Sequence, residues 1–306
     1  MKKLFVALST FGEYGSEPIE LLRSSGLDFS VNPTGKRLTP EQIVELAADC
    51  EGIIAGVEPY NAPVLERLPQ LRCISRCGAG IDNVDQQKAK EMGVAILNTP
   101  DVVIRPVAEL TVAMILDLMR NLSVHAQLMK NRSWQKQGGH LLSGKHVGII
   151  GFGRIGQKVA QLLKPFDVKI GYFDLRQVWI MISNRFEDLN SLLEWADIIT
   201  VHASIGAQGK PLLGRDELRR MKPGSWIVNT ARGGLVDEDA LYEALKSGHL
   251  AGAALDVFLE EPYTGKLCEL DNVVLTPHVA TLTGESRLAM EIEASENIIR
   301  FFKNGR

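Results

Sequence analysis

The run Val147-Gly148-Ile149-Ile150-Gly151-Phe152-Gly153-Arg154-Ile155-Gly156 constrains the fold more than any other stretch of the chain. An apolar, β-branched segment leads into glycines spaced Gly-x-Gly-x-x-Gly, and a helical pattern over 157–163 follows. Each glycine meets a separate steric demand. Gly151 permits a tight turn, Gly153 lets the backbone approach a pyrophosphate, and Gly156 lets helix and strand pack closely. Free N–H groups and the helix dipole then favour an anion at the helix start. A second strand over 169–173 ends on Asp174, 18 residues after Gly156. A carboxylate there accepts hydrogen bonds from ribose hydroxyls and repels a 2′-phosphate, so the pattern predicts NAD in preference to NADP. Arg176, two residues on, opposes that preference. The competing reading is a glycine-rich turn in another α/β protein, with Asp174 a helix cap.

Short β-rich runs alternate with helical patterns along nearly the whole chain, which predicts an α/β fold of parallel sheets flanked by helices. Strand cores are expected at 4–8, 29–31, 52–56, 73–75 and 94–97, with helices over 18–24, 39–50, 62–68 and 84–92. Thr39-Pro40-Glu41 has the chemistry of a helix start, a capping hydroxyl followed by proline at the first helical position. Two longer helices, 107–119 and 123–133, precede a second series of strands at 147–151, 169–173, 198–202, 226–229, 253–257 and 273–275. Two open sheets in series fit this order and a length of 306 residues better than one large sheet or a barrel. A final helical pattern spans 284–303, with no indication of what it packs against.

A net charge of -3 argues against general nucleic-acid binding, which needs a basic surface, but leaves room for a local anion site. No stretch approaches the ~20 apolar residues of a membrane span. Lys2 and Lys3 precede a short apolar run with no cleavage site after it, so a first buried strand is expected there. Cys50, Cys73, Cys77 and Cys268 lack metal-ligand or Cys-x-x-Cys spacing and read as buried thiols in a reducing compartment, with cytoplasm as the expected location. His125, His140, His146, His202 and His249 are scattered and suggest no metal.

Beyond the glycine motif, Asn229-Thr230-Ala231-Arg232-Gly233-Gly234-Leu235-Val236-Asp237, Leu255-Asp256-Val257-Phe258 with Glu261-Pro262, and Thr276-Pro277-His278 resemble the D-2-hydroxyacid dehydrogenases. Gly78-Ala79-Gly80-Ile81-Asp82-Asn83-Val84-Asp85, Asn98-Thr99-Pro100 and Val107-Ala108-Glu109-Leu110 resemble the phosphoglycerate dehydrogenase branch of that family. The resemblance covers the chain from about Leu71 onward; the first 70 residues match mainly in their alternation. It implies a Rossmann cofactor domain inserted in a flavodoxin-like substrate domain. Residues 1–100, completed by 282–306, would bind substrate, and 101–281 would bind NAD. The active site would lie in the cleft between them.

The same resemblance distributes the chemistry. Arg232 would grip the carboxylate and ketone oxygens with its permanently charged fork. His278 would donate a proton to the ketone oxygen and remove it in reverse, while Glu261 orients its ring and favours the imidazolium. Taken alone, each has a plain structural reading: a surface arginine, a loop histidine, an acidic loop. Gly151, Gly153, Arg154, Ile155, Gly156, Asp174, Thr230, Ala231 and Asp256 would contact the cofactor. The backbone of Gly78, Ala79 and Gly80, with Arg76 and Arg105, would hold the substrate acid. No metal is required, because the nicotinamide carries the hydride. A homodimer through the cofactor domain is expected, with 107–119 a candidate contact.

Three departures qualify the branch. Asp101-Val102-Val103-Ile104-Arg105 replaces the glycine and asparagine usual after Asn98-Thr99-Pro100, Val178–Ile182 is unusually apolar, and with the sequence ending at Arg306 the regulatory domain that some members of the branch append is not expected. The expected substrate is 3-phosphoglycerate, with hydroxypyruvate or glyoxylate reduction next, and a non-enzymatic NAD(H)-sensing corepressor as the reading from another class.

Overall fold

Apolar runs too short for helices become parallel strands, and side-chain caps decide where the intervening helices begin. The fold is seen in a computed structural model, which describes residues 2–176, 184–204 and 210–304. The apolar run 178–182 lies outside the described residues. The chain divides into two units, Met1–Val103 with Thr281–Arg306, and Ile104–Ala280.

In the first unit β1 (Lys3–Val6), β2 (Asp28–Val31), β3 (Gly52–Ala55), β4 (Cys73–Arg76) and β5 (Ala95–Asn98) form a parallel sheet in the order β2-β1-β3-β4-β5. This is the flavodoxin-like order. Helices α1 (Glu17–Ser24), α2 (Pro40–Ala47), α3 (Ala62–Glu66) and α4 (Gln86–Glu91) connect the strands. Thr39 and Gln42 make a reciprocal capping box at α2. Asp85 accepts the Lys88 N–H at 2.9 Å, which starts α4 after Val84, the residue expected to open it. Val84 is buried instead, bridged to Tyr60.

The last helix, α11 (Gly284–Lys303), returns to this unit and packs on α1, β3, β4 and β5. Met290, Ala294, Ile298 and Phe302 form its buried stripe. Glu291 is fully buried; it accepts the Gly12 N–H at 2.9 Å and pairs with Arg287 at 3.2 Å, while Arg287 also donates to Thr10 at 2.9 Å. Burial pushes the Glu291 carboxyl above its ordinary range, against the opposing pull of these partners. Ser75 and Asn297 add hydrogen bonds of 2.7 Å and 3.1 Å across the same contact.

The second unit contains α5 (Ile104–Arg120), α6 (Leu122–Lys130), β6 (His146–Ile150), α7 (Arg154–Leu163), β7 (Lys169–Phe173), β8 (Asn184–Arg185), α8 (Leu189–Trp195), β9 (Ile198–Val201), α9 (Arg215–Arg220), β10 (Ser225–Asn229), α10 (Glu238–Lys246), β11 (Leu250–Leu255) and β12 (Val273–Leu275). Its parallel strands run in the order β12-β11-β10-β9-β6-β7-β8, the Rossmann arrangement with one strand added at the edge. The glycine motif follows β6 at the point where the order reverses, so loops after β6 and β9 diverge there and leave a crevice.

Two expectations change. Cys50, Cys73 and Cys77 are buried, with burial pushing the Cys73 and Cys77 thiols up to about 12, but Cys268 is exposed on a single 3-10 turn over Lys266–Glu269. Along 107–119, the residues Val107, Ala108, Thr111, Met114, Ile115 and Met119 face the core of their own unit, where α5 packs on α7. That narrows any subunit contact of 107–119 to its other side, where Glu109 and Ala113 are exposed. No described helix is long and apolar enough to cross a membrane.

His202, directly after β9, is half-buried, and its Nε2 lies 2.9 Å from the Thr200 hydroxyl. Burial pushes its pKa down to about 3. An imidazole titrating near 6.5 when unfolded is neutral in both states above that value, so its contribution is intact there. It is lost as pH falls from 6.5 towards 3, where only the unfolded chain takes up the proton. Between about pH 6 and about pH 4 this one residue should lower the unfolding free energy by roughly 2–3 kcal/mol. Denaturant titrations of wild type and His202→Gln at both pH values test this. The variant should lose about one proton's worth of acid dependence.

Candidate active site

The glycine motif folds as a cradle. Gly151 has φ +86°, and a side chain there would sit 2.6 Å from backbone atoms of His202 and Ala203. A side chain at Gly156 would collide with the Gly151 carbonyl oxygen. Gly153 caps α7 and is open, with nothing within 4 Å of an added Cβ. Two glycines therefore close the turn while the third leaves the helix start approachable. Arg154 and Ile155 form the first turn of α7, exposed and half-buried respectively. Asp174 follows β7 and is held from both sides: the Phe152 N–H donates to Oδ2 at 2.6 Å and the Arg176 N–H to Oδ1 at 2.7 Å. Each carboxylate oxygen has a second lone pair, so these bonds aim the group without exhausting it. Open Gly153, the helix N-terminus and an aimed carboxylate fit a dinucleotide's diphosphate and ribose.

After β10 the chain turns through Thr230-Ala231-Arg232. Buried Asn229 brackets this turn, accepting the Ala231 N–H at 3.0 Å and donating to the Arg232 carbonyl at 2.9 Å. Thr230 is buried against Thr111, hydroxyl to hydroxyl at 2.8 Å. Arg232 is half-buried, and one of its terminal nitrogens donates to the Ala231 carbonyl at 2.7 Å. A side chain at Gly233 would strike the Phe258 carbonyl, so this turn and the one after β11 lie in direct contact.

The turn after β11 carries Glu261, and the segment after β12 carries His278. Glu261 grips His278 Nδ1 with both oxygens, at 2.9 Å and 3.1 Å. Its Oε1 also accepts the Phe258 N–H at 3.2 Å. The pair is partly exposed, and Nε2 of His278 has no hydrogen-bond partner among the described residues. With Nδ1–H held by a carboxylate, Nε2 is the atom that can deliver or take a proton. His278 adopts φ +55°. Asp256 lies beneath it, buried, with both oxygens on the segment that carries the histidine. Asn229, Thr276 and Glu238, whose carboxylate accepts the Leu259 N–H at 2.7 Å, are supports that sequence reasoning gave no role. Asn229 and Thr276 were visible in their motifs; nothing local marks Glu238.

In the other unit Arg76 ends β4 and donates to the Cys77 carbonyl. Gly78 has φ +141°, and its N–H donates to buried Thr99 at 2.8 Å. Asn98 donates to the Ala79 carbonyl at 2.7 Å, and Gly80 completes the turn. Arg105, at the start of α5, is exposed and paired with Glu109 one turn on, at 2.7 Å.

Residues 112–280 match the family model "D-isomer specific 2-hydroxyacid dehydrogenase, NAD binding domain", more than half of the chain. A glyoxylate reductase of Thermofilum pendens is 38% identical over 258 residues, 80% of this chain and 76% of that protein. A D-3-phosphoglycerate dehydrogenase of Methanocaldococcus jannaschii is also 38% identical, over 270 residues, 85% of this chain but 51% of that longer protein. The crystal structure of a glyoxylate reductase from Paecilomyes thermophila superposes with a TM-score of 0.90 at 27% identity, covering 100% of this chain and 96% of that one. The chain belongs to the D-isomer specific 2-hydroxyacid dehydrogenase family and carries that family's NAD-binding domain.

Proposed function

We propose that this NAD-dependent oxidoreductase reduces a small, unphosphorylated 2-keto acid of the glyoxylate or hydroxypyruvate class to the D-2-hydroxy acid. The observation that carries the reading is His278 held through Nδ1 by Glu261, with Nε2 left to act on substrate. A dinucleotide held by its diphosphate at the glycine cradle would supply the hydride from its nicotinamide. Arg232 binds the substrate carboxylate and polarises the ketone with its fork. His278 gives its proton to the forming alkoxide, and Glu261 holds the ring through Nδ1.

The preference for an unphosphorylated acid comes from Arg105. With Arg76 it is one of two cations that could replace the missing phosphate contacts after Pro100, and its Nε is paired with Glu109. The relatives named glyoxylate reductase, matched over 76% and 83% of their length, support the same choice. The second reading, phosphohydroxypyruvate, is favoured by the equal identity to phosphoglycerate dehydrogenase. Rates of NADH oxidation with glyoxylate, hydroxypyruvate, pyruvate and phosphohydroxypyruvate separate them. Highest kcat/KM is expected with glyoxylate or hydroxypyruvate, and a clear preference for phosphohydroxypyruvate would restore the phosphoglycerate reading.

Asp174 sets the cofactor choice. Asp174→Ala should narrow the ratio of NADH to NADPH affinity by roughly tenfold, because a charge near the 2′ position no longer repels phosphate. Titration by protein fluorescence measures it, and an unchanged ratio would remove Asp174 from cofactor selection.

The proposal extends to a homodimer through 122–141 rather than 107–119. In α6 no residue is buried, and Leu122, Met129, Trp134 and Leu141 are 66%, 55%, 79% and 73% exposed. Large apolar groups concentrated in one stretch mark an association surface. Sedimentation should give twice the 33.7 kDa chain mass, and a monomer at micromolar concentration would contradict it.

A further inference from the structure

The chain leaves β3 through Gly56-Val57-Glu58-Pro59-Tyr60, beside the loop that follows β4. The two strands pair with Ala55 opposite Arg76, and the Cys77 N–H donates to the Ala55 carbonyl at 2.8 Å. Asn83 ties the loops further, donating to the Gly56 and Glu58 carbonyls at 3.1 Å and 2.7 Å. Glu58 is 3% exposed, and its carboxylate folds back to accept the Gly56 N–H at 2.9 Å. That bond sets the charge at the end of β3, next to the end of β4. Tyr60 is fully buried, its hydroxyl without a hydrogen-bond partner among the described residues, so these surroundings are dry. Burial pushes the Glu58 carboxyl above its ordinary range; backbone N–H groups, then Arg37 and Arg76, pull it back. Arg37 is exposed and donates to the Val57 carbonyl at 2.8 Å. Arg76 lies over the loop read as holding the substrate acid, for a side chain at Gly78 would collide with its guanidinium.

We propose that Glu58 is a specificity-determining residue: its carboxylate offsets the charge of Arg76 and turns away acids that also carry a phosphate. A phosphate adds about 1.5–2 negative charges to the substrate, so an acid at this loop costs a phosphorylated ligand more than a plain one. Selectivity of this kind comes from an unfavourable charge set against the competitor. A charge in dry surroundings acts strongly on its neighbours, which lets one carboxylate do it. Glu58 thus accounts for Arg76 as Glu109 accounts for Arg105. The inference rests on the reading of the chain as a reductase of unphosphorylated 2-keto acids.

The test is Glu58→Gln in the full chain. The amide can still accept the Gly56 N–H, but the charge is gone. The ratio of kcat/KM for phosphohydroxypyruvate to that for hydroxypyruvate should rise roughly tenfold, mainly through KM for the phosphorylated acid. A readout without turnover is calorimetric titration of the enzyme–NADH complex with 3-phosphoglycerate and with glycerate. Binding of 3-phosphoglycerate should tighten by roughly tenfold while that of glycerate shifts by no more than about threefold. Turnover of 4-methyl-2-oxopentanoate, bulky but without a second charge, should show no such gain. Glu58→Met, uncharged and of similar length, serves if Glu58→Gln fails to fold. An unchanged ratio and unchanged 3-phosphoglycerate affinity in a folded variant would overturn the proposal. So would an equal gain for 4-methyl-2-oxopentanoate, the sign of a widened pocket. If wild type already prefers phosphohydroxypyruvate, the reading of the substrate fails by itself. A rise of the same ratio in Glu58→Gln would then still show the carboxylate opposing phosphate.

Discussion

Replacing His278 with alanine is expected to lower turnover by roughly 10²–10⁴-fold, the range for removal of a positioned general acid–base, while NADH affinity stays within a few-fold. The separation follows from placement. His278 and Glu261 extend from the segments after β12 and β11, whereas the cradle that fits the dinucleotide is built from the turn after β6 and from Asp174 after β7. Removing the imidazole deletes an exposed side chain and leaves the Asp256 hydrogen bonds to Val279 and Ala280 intact, so thermal stability should change little. Glu261→Gln should produce a smaller loss, because the amide still orients the ring but no longer stabilises its charged form. Steady-state rates and NADH fluorescence titrations on the same preparations check both. Wild-type turnover in the alanine variant would remove His278 from the chemistry.

Arg232→Ala is expected to cost about 10³-fold in kcat/KM, the scale of unpairing a charge that meets a substrate carboxylate at about 4 kcal/mol. Both KM and kcat should suffer, since the same fork binds the carboxylate and polarises the ketone. Arg232→Lys should recover only part of the loss: a point charge restores attraction but not two parallel N–H donors. Asn229 and the contact between Gly233 and Phe258 continue to shape the turn in either variant, so folding should persist. A change confined to KM would show that Arg232 binds substrate without acting on the reacting carbonyl.

What the sequence made legible was whatever short-range sterics dictate. Gly156 is required by a contact within the turn itself and Gly151 by its positive φ, and Asp174 is found by a spacing that one helix and one strand set. The capping chemistry at Thr39 likewise needs only three neighbours. The unread parts depend on contacts between distant positions. The seat of α11 is decided by Glu291 reaching Gly12 and Arg287 reaching Thr10, pairs more than 270 residues apart. That 276–280 folds over Asp256 is likewise invisible in its own neighbourhood. The pairing of Arg105 with Glu109 is visible only once the helix is known to begin at Ile104. The alternation implied helices near α9 and α10 without bounding them, and the two-residue strand β8 is too short for any periodic signal.

The most direct test of the central claim follows the hydride itself. NADH carrying deuterium at the transferable C4 position, turned over with glyoxylate or hydroxypyruvate, should deliver one deuterium to C2 of the product. With hydroxypyruvate that product should be the D isomer. Tight NADH binding with no deuterium in any 2-hydroxy acid would contradict the account and favour an NAD(H)-sensing role for this chain.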